Sequence, residues 1–221
     1  CRVVSPYTEG AMNGSLRVGL LFLSWLVLAS PARATTWFNS EVDCPVCGSK
    51  TTVSEVGSYG SYIYRWPSRC QMLFWPDTDE HSVFRCAHCS YAALMRDFAR
   101  LPADKRDAVK KALEGVTLPE ATDYTRIPMT TRLQVAEKVY LAWGRTDAEW
   151  SHFYRMVAFH AAEEGDEAAA VAARRKALAF AEKVAADPAK AGQRKESLLI
   201  TATLRSRSEE HTSELQSRGL I

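Results

Sequence analysis

Cys44-Pro45-Val46-Cys47-Gly48 and, 39 residues on from Cys47, Cys86-Ala87-His88-Cys89-Ser90 are the two stretches on which the reading of this chain turns. Two residues between cysteines let one tight turn aim both sulfurs at a single point. Two such turns at this separation complete a tetrahedral four-sulfur site of the kind that holds zinc. Cys44, Cys47, Cys86 and Cys89 are therefore the expected ligands of one structural Zn2+. Gly48 supports the first turn, because the residue after such a loop needs a positive φ that glycine adopts at little cost.

Working outward, the region 37–98 is rich in aromatics, Gly, Ser and Cys. Tyr62 to Trp66 alternates aromatic with other residues, the period of a half-exposed strand. Gln71 to Trp75 reads as a second short strand stopped by Pro76, Asp77 to Glu80 as a turn, and Ser82 to Arg85 as the lead into the second cysteine pair. The Gly-, Ser- and Thr-rich segment after Cys47 reads as a turn. From 101 to 206 the pattern is helical: Ala103 to Glu114 closed by Gly115, Thr130 to Trp143 closed by Gly144, Asp147 to Glu164 closed by Gly165, and an Ala-rich helix from Asp166 to Ala186. A last helix is expected from about Ala191. Short turns and the alanines of the third and fourth helices suggest antiparallel hairpins like tetratricopeptide repeats. The expected fold class is α+β: a small zinc-ribbon-like β unit, residues 35–100, followed by an α-helical hairpin (TPR-like) region, residues 101–206.

The ends carry other signals. Met12 to Ala34 has the layout of a secretory signal peptide: Arg17, the apolar run Val18 to Ala29, and small residues at Ala32 and Ala34. The run is shorter than the roughly 20 residues of a membrane-spanning helix. The expectation is a bacterial protein exported to the periplasm or beyond, not held in the membrane after cleavage, with residues 1–11 as translated upstream sequence. Arg207 to Ser217, RSEEHTSELQS, resembles the translation of a sequencing adapter, so 207–221 is set apart from the functional reading.

Charge narrows the partners. The chain carries 28 Lys plus Arg against 26 Asp plus Glu, a net +2. That is no basic footprint for nucleic acid. Export makes disulfides a rival to zinc, and a Cys-x-x-Cys pair could serve a cell-envelope thiol-redox protein. Such a centre opens a helix in a βαβ setting, whereas Cys44 has no such context. Cys70 is left over, read as a small half-buried residue. His88 is expected to face solvent. Tyr59, Tyr62, Tyr64, Trp66, Phe74 and Trp75 are read as core for the β unit rather than a stacking platform. Asp77, Asp79 and Glu80 lack the remaining positions of a calcium loop, and His160 with Glu163 and Glu164 lacks a further metal ligand. No nucleophile, phosphate-loop or dinucleotide motif is present, so no positive case for an enzyme exists. The expected role is a non-enzymatic module whose helices bind a protein or peptide.

Cys44-Pro-Val-Cys-Gly48, Phe84-Arg-Cys86-Ala-His-Cys89-Ser-Tyr91-Ala-Ala93 and Asp97-Phe98 together resemble the bacterial domain of unknown function 2225 family. The resemblance covers most of Trp37 to Ser206 and is most specific in the cysteine region. It implies a zinc-ribbon-type N-terminal part with a TPR-like helical remainder, and no activity. Ser90 departs from the family pattern, which has glycine after the last cysteine.

Overall fold

The α+β architecture starts from two β-hairpins, each with a Cys-x-x-Cys at its tip. The computed structural model describes residues 36–59, 72–121, 123–189 and 198–205. Strand β1 (Thr36–Asp43) pairs antiparallel with β2 (Lys50–Ser58), with Asp43 opposite Lys50 and the six residues 44–49 as the connecting loop. Strand β3 (Val83–Arg85) pairs antiparallel with β4 (Ala92–Leu94), with Arg85 opposite Ala92 and the six residues 86–91 between them.

These strands are where sequence and structure part. The Gly-, Ser- and Thr-rich segment after Cys47, expected as a turn, is strand β2. It carries the β-branched Thr51, Thr52, Val53 and Val56, and Thr51 and Val53 are buried two apart while Thr52 is exposed between them. In the other direction, the strand expected at Gln71 to Trp75 does not form in its described part. Residues 72–74 are irregular and 75–78 are a turn. Met72 takes φ +52, outside the strand region, and its carbonyl is held by Arg155 at 2.8 Å. Tyr62 to Trp66, Cys70, the segment 12–34 and residues 207–221 lie outside the described residues.

The helices follow the apolar spacing. After single 3-10 turns at Phe98–Arg100 and Ala103–Lys105 comes α1 (Arg106–Ala112), ended by Gly115 at φ +73. Helix α2 (Met129–Trp143) buries Met129, Leu133, Ala136, Val139 and Tyr140 on one face and stops at Gly144, φ +86. Helix α3 (Asp147–Glu163) begins one residue earlier than expected of its cap. Thr146, not Asp147, accepts from Glu149 N while Glu149 reaches back to Thr146 N, a reciprocal capping box. Helix α4 (Glu167–Ala186) is capped by Asp166 through Ala169 N. Residues 198–205 are helical.

Helices α3 and α4 pack along one another as an antiparallel hairpin, close because Ala158, Ala161, Ala170, Ala173, Ala177 and Ala181 line the contact. Helix α2 lies instead mainly against β4 and α1. One buried core joins the second hairpin to the helices, with Phe84, Tyr91, Phe98, Leu133, Tyr140, Phe153 and Met156 among its members. Among the described residues no helix is long and apolar enough to cross a membrane.

Candidate metal centre

The two hairpin tips face each other and bring the four expected ligands together. Cys44 Sγ lies 3.6 Å from Cys89 Sγ, Cys47 Sγ lies 3.6 Å from Cys86 Sγ, and all four sulfurs fall within 4.8 Å of one another. Four sulfurs bound tetrahedrally at about 2.3 Å from one ion sit about 3.8 Å apart. A disulfide requires about 2.05 Å. The arrangement therefore fits a metal ion at the centre, and the cysteines are free thiols rather than disulfide partners.

Each tip is built the same way. Cys44 N donates to Ser49 O at 2.9 Å and Cys86 N donates to Tyr91 O at 2.7 Å, closing the two six-residue loops. Four residues after each first cysteine the backbone turns left-handed: Gly48 at φ +74 and Ser90 at φ +60. Gly48 N donates to Cys44 O at 2.9 Å and nothing would meet a Cβ there. Ser90 bears the αL cost of a residue with a Cβ, but its hydroxyl accepts from Leu118 N at 3.2 Å in a buried position. His88 is exposed and offers only its backbone N–H, to Cys86 Sγ at 3.4 Å, an N–H···S bond that favours thiolate.

The loops are tied to each other by Thr51, whose hydroxyl donates to Arg85 O at 3.2 Å and accepts from Ala87 N at 3.3 Å. Cys44 and Cys86 are buried, Cys47 is exposed and Cys89 half-buried. A cavity of about 290 Å³ bordered by Val46, His88, Cys89, Ser90 and Lys110 lies beside this outer face.

Electrostatics point the same way as geometry. Without a cation the cluster holds one negative charge easily and resists more. The Cys86 thiol is pushed far below its ordinary range by hydrogen bonds from Cys44 and Cys89. In turn the Cys44 thiol is pushed up to about 12, first by its hydrogen bond with Cys86 and further by burial. Hydrogen bonds to Cys44 and Cys86 push Cys89 up strongly. Four thiolates together need a dication among them, and a metal ion would supply it. The Arg85 guanidinium, nearly buried beside Cys86 and Cys89, offsets part of the remaining negative charge. Neither pair opens a helix; the first sits between β1 and β2, the second between β3 and β4.

The other candidates resolve into structure. Asp77 contacts Arg96 at 3.1 Å and lies 2.9 Å from His152 Nε2, Asp79 contacts His81 at 2.7 Å, and Glu80 gives its carbonyl to Arg132. This is a turn in which the Asp77 and Asp79 carboxylates already have side-chain partners. His160 turns away from Glu163 and Glu164 and places Nε2 3.0 Å from Asp77 O, while Glu164 accepts from Thr130. Of the aromatic group, Trp75 packs between Trp37 and Tyr59, and Phe74 and Tyr59 stay half-exposed.

Two features escaped sequence reasoning. Arg132 is the largest fully buried side chain among the described residues and donates to Ile127 O at 3.1 Å, Val83 O at 2.7 Å and Glu80 O at 2.8 Å. Its position on the apolar face of α2 was the available signal. A cleft of about 230 Å³ borders Arg96, Asp97, Tyr140, Arg145 and His152. Its ionic groups are mutually satisfied: Arg145 binds Asp97 and Glu149 and stacks on Tyr140 and Trp143.

Residues 37–144 match the model of the family described as "Uncharacterized protein conserved in bacteria (DUF2225)", a span that holds all four cysteines and all but the first residue of the two hairpins. No curated protein and no solved structure matches the chain.

Proposed function

We propose, from a family match that carries no activity, that this chain is a non-enzymatic, exported protein. In it one structural zinc ion braces a β region so that TPR-like helices can present a surface to a protein or peptide partner. The observation that carries the reading is the approach of Cys44, Cys47, Cys86 and Cys89 to within 4.8 Å of one another. Zinc is favoured among ions that accept four sulfurs because it is redox-inert and tolerates the tetrahedral geometry without preference. Zinc would pull the thiols to thiolates and join the tip of β1–β2 to the tip of β3–β4. The β1–β2 hairpin is too small to be firm alone.

Export rests on the layout of Met12 to Ala34, and the partner on the hairpin of α3 and α4. A stacked TPR-like array would continue that hairpin through residues 198–205, whose Ile200 and Leu204 are buried.

The test is metal analysis of protein purified without added metal. One zinc per chain, lost when Cys86 is replaced by Ser, is the expected result. One iron per chain would replace zinc in this reading. Neither metal, with two disulfides instead, would sink it. Export is tested separately by N-terminal sequencing of the chain recovered from a bacterial periplasm, with Thr35 expected as its first residue.

A further inference from the structure

We propose that the four-sulfur site is an oxidation-triggered release device: an electrophilic oxidant joins Cys47 to Cys86 across the two loops and the metal leaves. This rests on the metal reading above. Cys47 is the exposed ligand, whereas Cys44 and Cys86 are 2% and 0% exposed. A peroxide arriving from solvent therefore meets the Cys47 sulfur first. The facing sulfur of Cys86 is 3.6 Å away, on the opposite loop. Thr51 holds the loops in register through Arg85 O and Ala87 N, bonds that do not depend on the metal. The two sulfurs stay opposed when the metal–sulfur bonds loosen.

The chemistry balances with hydrogen peroxide as oxidant. The Cys47 thiolate attacks one peroxide oxygen, the O–O bond breaks, and hydroxide leaves; the sulfur is now a sulfenic acid and has lost two electrons. The Cys86 thiolate attacks that sulfur, an S–S bond forms, and the S–O bond breaks to release a second hydroxide. Two thiolates have become one disulfide, and peroxide has become two hydroxide ions. Cys44 and Cys89 remain as the only sulfur ligands, and the dication dissociates.

The release is felt beyond the site. Cys86 opens the loop that carries Ser90 and Tyr91, and Ser90 Oγ is the acceptor for Leu118 N in the segment between α1 and α2. Turning Cys86 toward Cys47 disturbs that loop. The Leu118 amide then loses its partner, so an event at an exposed sulfur reaches the helical side of the protein.

Two measurements on the full, metal-loaded chain test this. Peroxide is added while a colorimetric chelator reports free metal, and disulfides are mapped by non-reducing peptide mass spectrometry. Hydrogen exchange is followed at Leu118. The expected result is loss of the bound metal, Cys47–Cys86 as the first linkage, and faster exchange at Leu118. Retention of metal under peroxide overturns the proposal, as does a first linkage of Cys44–Cys47, Cys86–Cys89 or Cys44–Cys89. Brief labelling of the same wild-type chain with a maleimide needs no variant to fold. Cys47 modified before the other three ligands supports the proposal, and any other ligand modified first overturns it. A preparation that holds no metal before peroxide is added fails the metal reading itself, so the two failures are distinguishable.

Discussion

The two cysteine-bearing hairpins have the same loop length, the same closing hydrogen bond and a left-handed residue at the same loop position, yet they stand in different surroundings. Strand β1 is exposed or half-exposed throughout, and only Thr51, Val53 and Ser54 of β2 are buried. Every residue of β3 and β4 is buried. Behind the second hairpin stand Arg132 on the Val83 carbonyl, Tyr140 Oη accepting from Leu94 N at 2.9 Å, and Tyr91 Oη donating to Phe98 O at 3.2 Å. The first hairpin has Thr51, a long 3.3 Å bond from Ser54 N to Tyr124 Oη, and Trp37 stacked on His81. Similar loops therefore rest on different supports. The helical core holds the second hairpin, and a metal at the four cysteines would hold the first.

The sharpest way to break this comparison is to remove the metal. Chelation, or Cys44→Ser, is expected to abolish metal binding and to cost several kcal/mol, a fraction of the 10–16 kcal/mol or so that structural zinc supplies to small domains. Amides of β1 and β2 should lose hydrogen-exchange protection while those of β3 and β4 keep theirs. Equal loss in both hairpins would refute the division of support.

Arg132→Met attacks the other side. It leaves the carbonyls of Ile127 and Val83 without their donor in a buried setting, at about 1–3 kcal/mol for each unsatisfied group, and takes the donor from the part-buried Glu80 carbonyl at smaller cost. A fall of about 3 kcal/mol or more in urea unfolding is expected. Protection should fall first in β3 and β4, with metal affinity following because the second loop loses its base.

The left-handed residues give a finer comparison. Gly48→Ala adds a Cβ into open space at φ +74, so its cost is backbone strain alone, about 1 kcal/mol. Ser90→Ala keeps the strain already present and removes the acceptor of Leu118 N, for about 1–2 kcal/mol. Ser90→Gly relieves strain while losing that acceptor, and is expected to lie between Ser90→Ala and the wild type. Thermal melts of the three variants order them; Ser90→Gly more stable than wild type would mean the hydroxyl contributes less than the left-handed strain costs.

The smallest effect is with pH. Burial holds His160 below its ordinary 6.5, outweighing the hydrogen bond to Asp77 O, so the folded chain binds that proton less readily than the unfolded chain. Its contribution is full above pH 6.5 and is lost as pH falls from there toward the lower folded value. His152, also lowered by burial, acts in the same direction. His160→Gln should flatten part of the decline in stability as pH falls below about 6.5, with bound metal monitored throughout. An unchanged slope would remove His160 from the account.

How much of this was legible beforehand depends on the range of the cause. Helix ends were readable because Gly115, Gly144 and Gly165 act on their own backbone. The exception, the cap of α3, was misplaced by one residue because both Thr146 and Asp147 are good caps and only the Glu149 bond separates them. The strands were harder. Segment 50–58 mixes the β-branched Thr51, Thr52, Val53 and Val56 with Ser54, Gly57 and Ser58, which are common in turns, and it pairs with β1 across the loop that precedes it. Gln71 to Trp75 has the composition of a strand, but its described residues form none and Arg155, 83 residues away from Met72, takes the carbonyl instead.

By itself the sequence determined the local chemistry: four cysteines in two pairs, a glycine suited to one loop, a serine out of place in the other, and the periodicity of four helices. Each of these follows from spacing of a few residues, where geometry is set by the chain's own bonds. Only the tertiary structure decided what stands behind each loop. Ser90 finds Leu118 28 residues on, Arg132 reaches Val83 across 49, and His160 reaches Asp77 across 83. Such contacts depend on which buried polar groups lack a partner once the core has closed, a question that spacing along the chain does not answer.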